Sequence, residues 1–279
     1  MQKNMNAEQD VDAETEVGLD EVPPGAEENE AEGPRRRGIY LLPNMFTTGG
    51  LFAGFYAIVA AMAGHFEPAA LAVFVAMIMD GLDGRIARLT HTESAFGKEY
   101  DSLSDMVSFG LAPALVIYEW ALKDMANYGW GWGKLGWLGA FFYACCAALR
   151  LARFNVRVGL VDKRYFQGLP SPAAAGLVAG AVWLGVDLDI PGEALLIPAY
   201  AVTIMAGALM VSSISFYSFK DLKLHGRVPF FVIVLLVVGI MLVTLSPPEV
   251  LFLVFFLYAC SGMLMASVRI YRRRRKSVA

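Results

Sequence analysis

Eight apolar stretches punctuate the chain, at roughly 41–63, 68–89, 98–121, 135–154, 171–187, 194–216, 228–246 and 249–270. Each is near the length of about 20 residues that crosses about 30 Å of hydrocarbon as a helix. None alternates apolar and polar positions in segments of about 10 residues, as a membrane barrel strand would. The pattern predicts an all-α fold, a polytopic integral membrane bundle of about eight transmembrane helices. The connections are short, so sequential helices are expected to be antiparallel neighbours.

Composition agrees with that class. Of 279 residues, 57% are hydrophobic, above the 45–50% usual for soluble domains. The net charge of −3 averages two unlike regions. Residues 1–34 hold 11 acids, one base (Lys3) and the pair Pro23–Pro24. They are expected to form a disordered acidic cytoplasmic tail, and they lack the basic start and apolar core of a secretory signal. Residues 35–271 form the membrane domain and 272–279 a basic cytoplasmic C-terminus. Arg35, Arg36 and Arg37 precede the first stretch, and Arg272 to Arg275 with Lys276 follow the last. Short basic flanks stay in the cytoplasm, so both termini are expected inside. Of the 23 Lys and Arg residues, that topology leaves only Lys123 and Lys134 outside. The three cysteines lie in apolar runs and are read as small buried hydrophobes. The three histidines are scattered and receive no role.

Two of the stretches carry acids that an apolar helix tolerates only for a purpose. The segment from Asp80 to Asp105 reads DGLDGRIARLTHTESAFGKEYDSLSD. On the second predicted helix Asp80, Asp83, Gly84, Ala87 and Arg88 share one face, and on the third Gly97, Asp101 and Asp105 share another. If the two faces meet, four carboxylates repel one another until cations or protons neutralise them. An all-oxygen ligand set suits Mg²⁺ or Mn²⁺, one or two ions. Metals held between carboxylates suit phosphoryl chemistry. Gly84, Ala87 and Gly97 remove side-chain bulk beside the acids, and Arg88 offers a fork for phosphate. Small residues on helix faces also serve helix packing, which would account for the glycines and alanine but not for the four acids. Arg85 is read as an inside anchor.

The frame D-x-x-D-G-x-x-A-R, eight residues, then G-x-x-x-D-x-x-x-D resembles the signature of the CDP-alcohol phosphotransferases, and the chain matches it at every specified position. The resemblance implies a membrane enzyme that moves a phosphatidyl-type group from a CDP-linked lipid to an alcohol and releases CMP. It implies that Asp80, Asp83 and Asp101 hold metal, and that Asp105 is both a ligand and the general base. It implies that Asp80, Gly84, Ala87, Arg88 and Gly97 contact the CDP moiety. A base needs a pKa near working pH, which a directly bound metal opposes at Asp105. Homodimers are common in the resembled family.

Three further segments resemble its phosphatidylserine synthase branch: YLLPNMFTTGG at 40–50, ALRLARFNV at 148–156 and FQGLPSPAAA at 166–175. Asn44 and Thr47 either cap and pack the first helix or contact the nucleotide and its phosphates. The branch implies CDP-diacylglycerol and L-serine as substrates, drawn from membrane lipid and cytoplasm, with no nucleic-acid partner. Serine requires a cation for its carboxylate and an acceptor for its ammonium; Arg150, Arg153 and Asn155 are the candidates at the carboxylate, the arginines bringing the charge. Gln167 and Ser171, in a loop stiffened by Pro170 and Pro172, either shape that pocket or merely form a loop and a cap. The expected site is at the cytoplasmic face of the cell (inner) membrane. Glycerol 3-phosphate or inositol phosphate would also use two arginines. Choline would call for an aromatic cage, with Tyr165, Phe166, Phe216, Tyr217 and Phe219 as the nearby aromatics. A cation-coupled transporter is the rival class, but it requires neither the spacing of Gly, Ala and Arg nor acids gathered at one surface.

Overall fold

The computed structural model describes residues 41–90, 94–157, 165–217 and 230–278. The acidic tail therefore lies outside the described residues. The fold is overwhelmingly helical. Helix α1 spans Leu41–Met62, α2 Phe66–Thr90 and α3 Ala95–Asp105. A π-helical turn, Met106–Leu111, continues α3 into α4, Ala112–Trp120, and a 3₁₀ segment, Leu122–Tyr128, leads to α5, Trp130–Arg157. Helix α6 covers Ser171–Asp187, α7 Leu196–Val211, α8 Phe230–Leu245 and α9 Pro247–Val278. Two strands that the hydrophobic pattern does not predict, β1 (Tyr165–Gln167) and β2 (Ser215–Tyr217), pair antiparallel with Phe166 opposite Phe216. Three residues per strand are too few to leave an alternating signature.

Every predicted stretch corresponds to a helix or a run of helices. By length and composition, four segments among the described residues can cross a membrane: Pro43–Met62, Trp130–Val156, Gly192–Val211 and Pro247–Met265. The run Ala95–Trp120 makes a fifth when taken with Leu122–Tyr128, from which a 40° bend separates it. Helix α2 has the length, but Asp80, Asp83 and Arg85 interrupt its apolar stretch. Helices α6 and α8 have 17 and 16 residues, and at 1.5 Å per residue fall at about the lower limit for a span.

The core is built on small residues. Alanines of α1, α2, α4 and α6 are buried, letting the backbones approach closely. At Gly54 a Cβ would stand 2.7 Å from the Ser108 Cα, so α1 presses directly on the π-helical turn. Two serines staple the same seam: Ser104 Oγ donates to the Thr47 carbonyl at 3.1 Å, and Ser108 Oγ to the Gly50 carbonyl at 3.0 Å. This seam fixes α3, and with it Asp101 and Asp105, against α1.

Candidate active site

The acids arrive from two helices. Asp80 and Asp83 come from the C-terminal half of α2, and Asp101 and Asp105 from α3. Helix α3 begins at Ser94, whose Oγ accepts from the Gly97 N–H at 3.0 Å, satisfying one of the orphan donors of the first turn. It ends as an α-helix at Asp105, where the π-helical turn begins. Such turns interrupt helices frequently at functional sites, because they re-aim the side chains beside them.

Oxygens of Asp80, Asp101 and Asp105 lie within 4.8 Å of one another. Three carboxylates that close suit a hard divalent cation. The fourth acid is engaged differently. Asp83 is 5% exposed, and its Oδ2 accepts from Thr47 Oγ1 at 2.8 Å. It remains near enough to act electrostatically on Asp101 and Asp105. Thr47, which the sequence leaves open between packing and nucleotide contact, therefore holds an acid of the frame. Its neighbour Thr48 meets the Tyr100 hydroxyl at 2.9 Å, a second tie between α1 and α3.

Beside the acids opens a cavity of about 320 Å³, within the range of small-ligand sites. Its walls include Asn44, Thr47, Gly84, Ala87, Arg88 and Gly97, together with Asp83 and Asp101. The six residues expected at the nucleotide, Asp80 apart, thus share one chamber. Gly84 answers the packing alternative: a Cβ built there would meet nothing within 4 Å. The missing side chain leaves room in the cavity and not between helices. Gly97 differs, since its Cβ would meet Ser94 Oγ at 3.1 Å and Asn44 Oδ1 at 3.7 Å.

Ser94, Lys98 and Phe154 also line the cavity, and sequence reasoning missed all three. The signals were available. Ser94 stands where an N-cap belongs, Lys98 follows Gly97 of the frame, and Phe154 lies four residues after Arg150, on the same face of α5.

The expected acceptor residues fall into pairs. Arg150 Nη1 donates to Ser171 Oγ at 2.6 Å, and Arg153 Nη2 donates to Gln167 Oε1. Asn155 instead donates to Ser102 Oγ at 3.0 Å, binding the end of α5 to α3. Arg150 is close enough to Asp105, Tyr143 and Tyr258 to act on each electrostatically. Its Nε is buried with no hydrogen-bond partner among the described residues.

A bundle rich in apolar helices, with three convergent carboxylates beside a part-polar cavity, defines a helical membrane enzyme with a site suited to divalent metal. Comparison with known proteins makes the class specific. The model of the CDP-alcohol phosphatidyltransferase family matches residues 40–214, from the start of α1 to just beyond α7. A Helicobacter pylori protein named CDP-diacylglycerol–serine O-phosphatidyltransferase is 36% identical over 245 residues, which are 86% of this chain and 98% of the relative. Proteins of the same name from Mycobacterium tuberculosis (38% over 159 residues, 53% of this chain and 52% of the relative) and Methanocaldococcus jannaschii (36% over 153 residues, 53% and 63%) are also similar. The chain belongs to the CDP-alcohol phosphatidyltransferase family and is a transferase.

Proposed function

We propose that this enzyme transfers the phosphatidyl group of CDP-diacylglycerol to L-serine, giving phosphatidylserine and CMP. The convergence of Asp80, Asp101 and Asp105 beside the cavity carries the phosphotransfer half of this reading. The name shared by the similar proteins supports serine as acceptor, and Arg150 supplies the cation that a carboxylate requires.

Asp80, Asp101 and Asp105 would hold Mg²⁺ or Mn²⁺, with Asp83 beside them. The bound ion would supply Lewis-acid stabilisation of charge on the pyrophosphate. The chain's own residues do the rest. Gly84 and Ala87 leave the floor of the cavity open for the cytidine diphosphate. Arg88, exposed within it, offers a guanidinium fork to phosphate. Asn44 brings a donor and an acceptor to the same chamber. Asp105 takes the proton of the serine hydroxyl, and the freed oxygen attacks the phosphorus bearing diacylglycerol. One P–O bond forms and the pyrophosphate P–O bond breaks, with CMP leaving. The π-helical turn that begins at Met106, directly after Asp105, supports this reading. In the purified enzyme, release of CMP should stop on chelation and resume on adding Mg²⁺ or Mn²⁺. Undiminished release after exhaustive chelation would overturn the metal assignment.

The topology belongs to the same reading. Eight spans, both termini inside and the acid cluster at the cytoplasmic face are supported by the distribution of Lys and Arg along the chain. In intact cells, an impermeant maleimide should label Lys123→Cys, and should label Lys276→Cys only after permeabilisation. The opposite labelling would invert the orientation. A homodimer is part of the proposal by analogy with the family alone.

A further inference from the structure

Between β1 and α6 the chain runs as a strap past Arg150 and Arg153 of α5, and it is fixed at several points. Gly168 has φ +83°, and a Cβ there would lie 2.2 Å from the Met210 carbonyl oxygen, so only glycine fits without movement. Its N–H donates to the Ile214 carbonyl at 2.8 Å, and the Leu169 N–H to the Leu209 carbonyl at 2.9 Å. Leu169 is fully buried. The paired strand β2 is fastened in turn by Phe216, fully buried against Gly262 of α9.

The strap ends at Ser171, the first residue of α6, which is 0% exposed. A side chain with no accessible surface cannot meet a soluble acceptor. What it meets is Arg150, through the 2.6 Å hydrogen bond. That places a guanidinium at the N-terminus of a 17-residue helix, where the helix dipole already presents partial positive charge. Two positive poles together are costly unless an anion is near. Asp105 is one such anion. The donation from Nη1 to Ser171 uses one of the five N–H donors of the guanidinium. A carboxylate of the acceptor can pair with the others without displacing Ser171. Arg153 is held in the same way, by Gln167 Oε1 and by the Val211 carbonyl at 3.3 Å.

We propose that the strap from Gln167 to Ser171 aims the α5 arginines at an anionic group of the acceptor, with Ser171 a positioning residue that acts through Arg150 and never touches substrate. The proposal rests on the serine reading for the identity of that group, and of the two alternatives for Gln167 and Ser171 it takes the pocket, shaped through the arginines. It also ties selectivity to a backbone device: the strap carries its register from β2 and α9 to the guanidinium.

The test is steady-state kinetics on the full-length enzyme with both substrates varied. Ser171→Ala should raise the KM for serine about tenfold, the worth of one charge-assisted hydrogen bond, leaving the KM for CDP-diacylglycerol unchanged. Ser171→Thr, which keeps the hydroxyl, should recover most of that loss. Gln167→Ala, at an exposed position, should shift the serine KM in the same direction and carries the test if Ser171→Ala fails to fold. Equal rises in both KM values, an unchanged serine KM, or no rescue by threonine would each overturn the proposal. The wild-type acceptor is established first. If it is not serine, the serine reading falls by itself, and the variants are run with the alcohol actually used. An unmoved acceptor KM there would overturn the strap independently.

Discussion

Asp101→Asn is expected to lower turnover by about a thousandfold or more, with the protein still folded and inserted. Asp101 is the acid that belongs both to the three-carboxylate cluster and to the cavity wall. It therefore stands where a cation held by the cluster would meet a pyrophosphate held in the cavity. Asparagine keeps the volume and removes the charge. Measured in chelator, the thermal midpoint of the variant should equal or exceed that of the wild type, because one like charge has left a repulsive cluster. Turnover by CMP release, metal affinity by calorimetry and the melting midpoint together separate this outcome from misfolding. Near-normal turnover would remove Asp101 from the metal site.

Gly84→Leu is expected to cost roughly a hundredfold in activity with no loss of stability. Its side chain would enter the cavity and not a helix interface, since nothing lies within 4 Å of the Cβ position. The loss should appear in CMP affinity, measured by calorimetry on the detergent-solubilised enzyme. Gly54→Ala should behave in the opposite way. Its Cβ would stand 2.7 Å from the Ser108 Cα, so the α1 seam must shift and the melting midpoint should fall. If Gly84→Leu melts early while CMP still binds, the glycine serves packing and the cavity assignment is wrong.

The acidic frame was legible because its information is periodic. Asp80, Asp83, Gly84, Ala87 and Arg88 recur at helical spacing, and so do Gly97, Asp101 and Asp105, so two faces could be drawn without coordinates. Spacing does not give rotamers. Nothing in the sequence separates Asp83, drawn aside by Thr47, from the three acids that converge. The π-helical turn after Asp105 changes the hydrogen-bond register without changing which residues are apolar, so no hydropathy pattern betrays it. The strap was hidden for another reason. Its two strands are three residues each, and Gly168 meets Met210 across more than 40 positions of chain. Tertiary contact of that kind has no local signature. The arginines stand out in the sequence by lying inside an apolar run, while the contacts of their partners depend on burial: Ser171 reads as a helix start in the sequence and is fully enclosed in the structure. Span counting has a similar limit. The apolar stretches align with helices α1 to α9, but α2, α6 and α8 lack either the apolarity or the length to qualify as spans by themselves.

The most direct measurement offers the purified enzyme CDP-diacylglycerol with Mn²⁺ or Mg²⁺ and, in separate reactions, serine, glycerol 3-phosphate, inositol, inositol phosphate or choline. CMP and lipid product are followed by mass spectrometry. Metal-dependent phosphatidylserine, with CMP in equal amount, is expected from serine alone. Product from a different alcohol would contradict the acceptor assignment while preserving the acid site. If protein shown to be folded and metal-loaded released no CMP with any alcohol, the phosphotransfer account itself would be contradicted.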